Sequence, residues 1–144
     1  LFEAQWICRE ADGPLPEAPA GMRWERVRDP AVLRQWERAW NQYDIPPGLF
    51  HPSLLVEDAV IVMAGYRDEA IVAGAIANRS ATVASLTNVF SAVGDLDAAL
   101  RGSVASVAAQ MGDLPLVGYE RGDNLEAARR YGFALLGPLR VWIK

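Results

Sequence analysis

Two consecutive stretches, residues 86–110 (LTNVFSAVGDLDAALRGSVASVAAQ) and 115–133 (PLVGYERGDNLEAARRYGF), decide the fold. The first passes from a strand-like pattern into one with apolar residues every three to four positions, which predicts a helix over about 96–111. The second begins with a nearly all-apolar run, 114–119, typical of a strand buried on both faces, and continues into a predicted helix at 124–131. Because a helix connects the two strands, we expect them to be parallel.

The segment before these stretches reads as a meander of strands. Three strand-like runs, 59–66, 70–78 and 81–90, are separated by turns of a few residues, and such short connections predict antiparallel neighbours. A further strand is predicted at 22–27, and a helix begins at the Asp-Pro pair 29–30, where an N-cap acceptor precedes proline. We therefore expect one α/β domain of the α+β type, with a mixed, mostly antiparallel sheet and helices on both faces.

Both ends of the chain add strand-like segments. Residues 2–9 are aromatic and β-branched, which favours a strand. Residues 11–21 contain three prolines and two glycines, a composition typical of a linker. We therefore divide the chain into an N-terminal strand plus linker, 1–21, and a domain, 22–144. Two short closing strands are predicted last, at 133–136 and 139–143.

Composition excludes several classes of protein. The chain has 144 residues, of which 51% are hydrophobic and 22% charged, and a net charge of −4. This charge offers no electrostatic reason to bind nucleic acid or an anionic membrane. One cysteine and one histidine exclude an intrachain disulfide and a structural zinc site, so no metal is expected. No apolar run reaches membrane-spanning length and no secretory signal is visible, so we expect a cytoplasmic protein.

The order of predicted elements and the two quoted stretches resemble the GNAT (Gcn5-related N-acetyltransferase) superfamily over about residues 22–144. In that family the strand before the long helix lends backbone amides to acyl-pantetheine, the next loop wraps the pyrophosphate, and the following strand splays away to make a cleft. The resemblance implies acetyl-CoA or another acyl-CoA as co-substrate and an amine of a small molecule or a protein as acceptor, and it allows a homodimer. The cofactor-binding residues it implies are Asn88, Val89 and Phe90 beside the pantetheine, Ser91, Ala92, Val93 and Gly94 beside the phosphates, and Asn124.

The sequence departs from the family pattern at two places. The family's phosphate loop reads Gln/Arg-x-x-Gly-x-Gly/Ala, whereas residues 91–96 read SAVGDL, so only Gly94 matches. Asp95 and Asp97, at the start of the next helix, are expected to cap its amides and to repel a pyrophosphate, which predicts weak CoA binding. The position at which many members have a tyrosine as general acid is Ala128 here.

Two residues are candidates for a general base. His51 is the only imidazole in the chain, and imidazole is the commonest general base in proteins; the alternative is a turn histidine without a role. Glu120 follows the buried strand, at the end where ligands bind in open α/β sheets; the alternative is a solvated carboxylate or a partner for Arg121. Asn88 is unusual within a strand and either binds a ligand or marks a bulge.

These observations lead to two hypotheses. The first is an acyltransferase that moves an acyl group from acyl-CoA to an amine by direct attack, without a covalent intermediate. The second is a catalytically silent GNAT-like domain that binds a protein or another ligand. The acidic helix start supports the second hypothesis, because a fold can persist after its site is replaced.

Overall fold

The computed structural model describes residues 1–41 and 45–142. This part of the chain forms seven strands and three α-helices, with one 3-10 helix at Pro52–Val56. The strands are β1 Phe2–Arg9, β2 Arg23–Arg26, β3 Val60–Arg67, β4 Ala70–Arg79, β5 Ala84–Ser91, β6 Leu116–Glu120 and β7 Ala134–Val141, and the helices are α1 Pro30–Trp40, α2 Leu96–Met111 and α3 Gly122–Arg130. None of the described helices has both the length and the apolar character needed to cross a lipid bilayer.

The seven strands form one sheet in the order β2-β3-β4-β5-β6-β1-β7. Strands β2 to β5 are antiparallel neighbours, which the short turns predict for β3 to β5. Strands β5 and β6 pair in parallel on either side of the α2 crossover. The five runs expected to share one mixed sheet do so, and the predicted fold class is confirmed.

The N-terminal strand is an integral part of this sheet. The sequence predicts a separate N-terminal strand plus linker, 1–21, whereas in the structure β1 lies between β6 and β7 and pairs antiparallel with both. The two closing strands predicted from the sequence are one strand, β7, which runs through Gly137 and Pro138 with a register shift opposite Trp6 and Ile7. Proline is tolerated there because β7 is the last strand of the sheet. Residue 143 lies outside the described residues.

Helix α1 covers one face of the sheet with an aromatic core. It begins as predicted, with the Asp29 carboxylate accepting a hydrogen bond from a first-turn amide at 2.6 Å. Trp36 is completely buried, and its Nε1 donates to the Met63 carbonyl at 2.8 Å. The rings of Phe50 and Phe90 each meet the Trp36 ring edge-on, with centroids 5.1 Å apart. This cluster joins the helix, the 3-10 segment and the centre of the sheet.

Helices α2 and α3 cover the opposite face. Ile61 and Met63 of β3 pack with these helices, whereas Val62 between them packs with α1, because successive side chains of a strand point to opposite faces. Helix α2 approaches β2 closely: a Cβ added to Gly102 would stand 2.2 Å from Nε1 of Trp24. The sheet is therefore enclosed between α1 on one side and the α2–α3 pair on the other.

Candidate functional site

The parallel strands β5 and β6 separate soon after they meet. Their register contains two residue pairs, Ala84–Leu116 and Ser85–Val117, near the start of both strands. Beyond these pairs the strand ends diverge, as the crossover between them predicts, and an opening remains in the middle of the sheet.

A β-bulge in β5 lies beside this opening. The register with β4 shifts beyond the Ile76–Thr87 pair, so that Asn88 and Val89 together face one residue of β4. Asn88 has a φ of 51°, a conformation that asparagine adopts more readily than most residues. Its exposed side chain donates to Thr87 Oγ1 at 3.3 Å. Asn88 thus marks a bulge, and a bulge leaves backbone groups without ladder partners next to the opening.

Two cavities meet at the opening. The first, here called the helix-side cavity, has a volume of about 270 Å³ and lies against α2 and α3. The second, the strand-side cavity, has a volume of about 290 Å³ and is lined by residues of β5 and β6. Val89, Glu120 and Asn124 line both cavities. These three residues, all predicted from the sequence, therefore stand where a molecule in one cavity would meet a molecule in the other.

Glu120 has the chemistry of a base at this junction. It is the last residue of β6 and is partly buried. Burial raises the pKa of its carboxyl above the ordinary value, while hydrogen bonds from the Asn124 side chain and the Arg121 amide oppose the rise. A carboxylate with a raised pKa is a stronger proton acceptor than a solvated one, and the Asn124 amide holds it in place.

The loop at the start of α2 uses much of its hydrogen-bonding capacity internally. Ser91 Oγ accepts from the amides of Val93 at 3.4 Å and Asp95 at 3.0 Å. The Asp95 carboxylate caps α2, as predicted, by accepting from the Ala98 amide at 3.0 Å. Gly94, which matches the family loop, has a φ of 79° in the region that favours glycine. Three amides that could hold an anion at this helix start therefore already have partners.

Asp97 has a different role from the predicted one. Its carboxylate accepts hydrogen bonds from Arg130, at 2.6 Å, and from the hydroxyl of Tyr131, not from a helix amide. The Tyr131 bond and then the Arg130 bond lower the pKa of Asp97. The helix-side cavity is thus lined by four carboxylates, those of Asp95, Asp97, Glu120 and Asp123, and by the guanidinium of Arg130. Sequence reasoning missed Arg130, because its partner is 33 residues away in the chain.

Four of the predicted phosphate- and pantetheine-side residues do not line either cavity, namely Phe90, Ser91, Ala92 and Val93. The Phe90 side chain is buried on the α1 face against Trp36 and does not face the opening, so its predicted place beside the pantetheine stays a prediction for its backbone alone. Ser91 is buried, and its Oγ accepts hydrogen bonds from the loop amides. Ala92 and Val93 are exposed on the loop. Gly94 lines the helix-side cavity and Asn88 the strand-side cavity, as expected for residues beside the opening.

His51, the other candidate base, stands apart from Glu120. It precedes the 3-10 helix, where its Nδ1 accepts from the Ser53 amide at 3.2 Å. It lines a separate cavity of about 350 Å³ beside α1, together with Arg34 and Glu37. The Glu37 residue there is buried, and its carboxylate accepts hydrogen bonds from the backbone amides of residues 48–50. The structure therefore brings Glu120, but not His51, to the opening between β5 and β6. No group of His, Cys, Asp and Glu side chains within residues 1–41 and 45–142 is arranged to hold a metal ion.

A sheet that opens between two parallel strands beside a helix start defines the class of this domain, which is the GNAT fold. The domain is similar to a functionally unknown conserved protein from Staphylococcus epidermidis ATCC 12228, with a TM-score of 0.72 and 12% identity over 94% of this chain and 58% of that one. It is also similar to a GCN5-related N-acetyltransferase from Kribbella flavida, with a TM-score of 0.71 and 17% identity over 96% of this chain and 56% of that one.

A third similar structure is a GCN5-related N-acetyltransferase from Sphaerobacter thermophilus, with a TM-score of 0.62 and 15% identity over 94% of this chain and 49% of that one. The chain thus spans about half of the length of the solved structures that it matches. No protein-family model matches the sequence, and no curated protein matches it at a significant level. The resemblance seen in the sequence is confirmed at the level of the fold.

Proposed function

We propose that this domain transfers an acyl group from an acyl-CoA to an amine, with Glu120 as the proton acceptor. The observation that carries the proposal is the position of Glu120 at the meeting point of two cavities, in a GNAT fold whose central strands diverge. A transferase needs two substrates to meet, and two cavities that share the lining residues Val89, Glu120 and Asn124 offer separate sites for a donor and an acceptor.

The helix-side cavity suits the pantetheine arm of the donor. Leu96 and Leu100 of α2 and Ala127 of α3 supply apolar walls, and the bulge at Asn88 and Val89 supplies backbone polar groups beside the opening. Such groups, held in place before the reaction, stabilise the negative charge that develops on a thioester oxygen. The acceptor amine would then approach through the strand-side cavity.

The reaction needs one proton acceptor and no covalent intermediate. The amine nitrogen attacks the thioester carbonyl carbon, Glu120 takes the proton that the nitrogen loses, and the carbon–sulfur bond breaks to release the thiolate. A thiol has an ordinary pKa of about 8.5, so the thiolate is a good leaving group and can take its proton from solvent. This is consistent with Ala128 in place of a general acid, and with a Tyr131 hydroxyl that donates to Asp97.

The phosphate end of CoA fits the α2 start poorly. The loop amides of Val93, Asp95 and Ala98 have internal partners, and the cavity nearby holds four carboxylates against one arginine. A pyrophosphate placed there would meet like charge in a partly enclosed site. We therefore expect this domain to bind CoA more weakly than a domain whose helix start has free amides and no carboxylates nearby.

The same observation favours a second candidate function. A domain whose phosphate loop is occupied by its own side chains could have lost the acyl-CoA reaction and kept the fold as a binding module. The two candidates differ in a measurable way, because the binding module releases no thiol from acyl-CoA when an amine is added.

A thiol-release assay separates the candidates. The full chain is incubated with acetyl-CoA and a panel of primary amines, including a polyamine, free amino acids and a peptide with a free N-terminus. We expect amine-dependent release of CoA, reduced about 100-fold or more in Glu120→Gln. Glu126→Gln removes the same charge from an exposed position on α3 that lines neither cavity and serves as the matched control. Absence of amine-dependent release from the unmodified protein would favour the binding module, and full activity in Glu120→Gln would exclude Glu120 as the base.

A further inference from the structure

A cavity distinct from the one at His51, here called the third cavity after the helix-side and strand-side cavities, lies between the proline-rich linker, α2 and the end of α3. It has a volume of about 520 Å³ and is lined by linker residues 13–17, by Arg101 of α2 and by Arg130 and Tyr131 at the end of α3. Arg130 also lines the helix-side cavity. The two cavities are therefore neighbours along the groove between α2 and α3, with Arg130 at their boundary.

The wall of this third cavity is held by a buried arginine. Arg9 is 2% exposed, and its guanidinium donates to the carbonyls of Gly13 at 2.9 Å and Pro14 at 2.7 Å in the linker. It also donates to the Tyr131 carbonyl at the end of α3, at 3.0 Å. The linker is thus tied to α3 by charge-assisted hydrogen bonds, so the cavity is a fixed feature of the fold and Arg9 has little capacity left for a ligand.

Arg101, in contrast, has hydrogen-bond donors that are available to a ligand. Its Nε is buried and has no hydrogen-bond partner within residues 1–41 and 45–142. A buried donor without a partner is costly. The Arg101 side chain as a whole is partly exposed and lines the third cavity, so its guanidinium is available to a ligand there. Asp97 lies one turn earlier on α2 and is bonded to Arg130 and Tyr131, so it does not fill this place.

Charge changes sign along the groove. At the α2 start, four carboxylates face one guanidinium, that of Arg130, in the helix-side cavity. In the third cavity Arg101 joins Arg130, which is also paired with Asp97. Two carboxylates, of Glu10 and Glu17, also line the third cavity, but both side chains are exposed and remain in water. An anion is therefore better placed beside Arg101 and Arg130 than at the α2 start.

We propose that the third cavity is a phosphate site, in which Arg101 and Arg130 bind the phosphate-bearing end of the acyl donor. The identity of the donor rests on the proposed function, but the anion site itself stands on the two arginines that line the cavity. This arrangement explains how the loop at the α2 start can be acidic although the helix-side cavity for the pantetheine arm is present. The phosphates of the donor would lie further along the groove between α2 and α3, away from that loop.

Binding to CoA tests the site directly. Calorimetric titration with CoA compares the unmodified protein with Arg101→Gln and Arg130→Gln. We expect each substitution to weaken CoA binding about tenfold. Arg129→Gln removes the same charge from the next residue of α3, which lines none of the three cavities and pairs with Glu126, and it should change the affinity less than about twofold. Arg101→Lys, which keeps the charge, should retain part of the affinity. Equal affinity in all four variants would overturn the proposal.

A second measurement on the unmodified protein does not depend on the folding of variants. Adenosine 3′,5′-diphosphate, which carries phosphates but no pantetheine arm, should compete with CoA, whereas pantetheine without phosphate should bind without displacing the diphosphate. If the diphosphate does not compete, the cavity is not the phosphate site. If it competes equally well in Arg101→Gln, the phosphates bind elsewhere, and that result also overturns the proposal.

The choice of donor separates failure of this site from failure of the acyltransferase. In Arg101→Gln, the efficiency of transfer from acetyl-CoA divided by that from acetyl-pantetheine should fall about tenfold, because only the first donor carries phosphates. An unchanged ratio with measurable transfer overturns the phosphate site and leaves the acyltransferase intact. Absence of transfer from either donor, combined with CoA binding that depends on Arg101, overturns the acyltransferase and supports the phosphate site.

Discussion

The α1 face and the β5–β6 opening are two regions of one sheet that differ in packing: the first is closely packed, and the second is open. On the α1 face, antiparallel strands are paired along their lengths, and Trp36 fills the space above them with Phe50 and Phe90 at its edges. At the opening, two parallel strands share two residue pairs and then part. The groups that line it include the partly buried carboxyl of Glu120, the Asn124 side chain and the β5 bulge at Asn88 and Val89.

This difference in packing predicts that the α1 face contributes mainly to the stability of the domain and the opening mainly to its proposed activity. Close packing of apolar groups gives most of the free energy of folding, whereas a reactive carboxylate must keep access to a substrate and bears a cost of desolvation. Substitutions on the α1 face should therefore change the free energy of unfolding, and substitutions at the opening should change activity with little loss of stability.

The largest expected effect is on the α1 face. Trp36→Ala removes a completely buried side chain and its hydrogen bond to the Met63 carbonyl. We expect a loss of about 3–5 kcal/mol in the free energy of unfolding, measured by urea denaturation followed by circular dichroism. Trp36→Phe, which keeps an aromatic ring, should lose less. A loss below about 1 kcal/mol for the alanine variant would show that this cluster does not carry the stability of the domain.

The next effect contrasts activity with stability at Glu120. Because burial raises the pKa of this carboxyl, Glu120→Gln should leave the melting temperature equal or higher at neutral pH while it lowers transfer about 100-fold or more. A clear fall in melting temperature would mean that the Glu120 carboxylate supports the fold, contrary to the comparison of the two regions.

The pH dependence of transfer follows from the same raised pKa. Glu120 must be ionised to accept a proton, so kcat/KM should fall as the pH drops through its pKa, which lies above the ordinary glutamate value of about 4.3. An acceptor that stays uncharged in this range, such as a hydrazide, prevents ionisation of the amine from masking the effect. A rate that is independent of pH down to the ordinary glutamate range would contradict a base with a raised pKa.

Two glycines give a smaller test of how tightly each region is packed. A Cβ at Gly74 on the α1 face would stand 2.3 Å from Trp36 Nε1 and 2.5 Å from a Phe90 ring atom, whereas a Cβ at Gly118 of β6 would stand 3.0 Å from the Leu86 carbonyl. Gly74→Ala should cost about 1–3 kcal/mol in unfolding free energy. Gly118→Ala should cost less, because β6 can move away from β5 where the strands part. The reverse order would show that the opening is as rigid as the α1 face.

The smallest expected effect concerns the two aspartates at the α2 start. Asp95→Asn keeps a capping oxygen but removes a charge, and Asp97→Asn also releases Arg130 from its ion pair. The two substitutions together should tighten CoA binding, with a change in affinity of roughly a few-fold for each charge removed. Asp97→Asn should give the larger change. The gain should shrink at high salt, because exposed charges are screened. Weaker CoA binding in the double variant, measured by calorimetry at two salt concentrations, would refute the repulsion between this helix start and the donor.

Much of the fold could be predicted because it depends on local patterns. The meander from β3 to β5 follows from alternation and short turns, and the parallel pairing of β5 and β6 follows from the helix between them. At the site, Glu120 was predicted from its position after a buried strand, whereas Val89 and Asn124 were predicted from the resemblance to the GNAT superfamily. The place of β1 could not be predicted, because its two partners are more than 100 residues away in the chain and nothing in residues 2–9 specifies them.

The sequence by itself determined the class of fold, the acidic α2 start and the candidate base Glu120, since residue type and spacing set helix caps, strand periodicity and crossovers. The tertiary structure alone decided that Phe90 packs under α1, that Asp97 pairs with Arg130, and that Arg101 and Arg130 meet beside the linker. These last relations depend on which residues a helix or strand faces after folding. Partners distant in the chain leave no periodic signal, so only the packed sheet and its two helical faces bring them together.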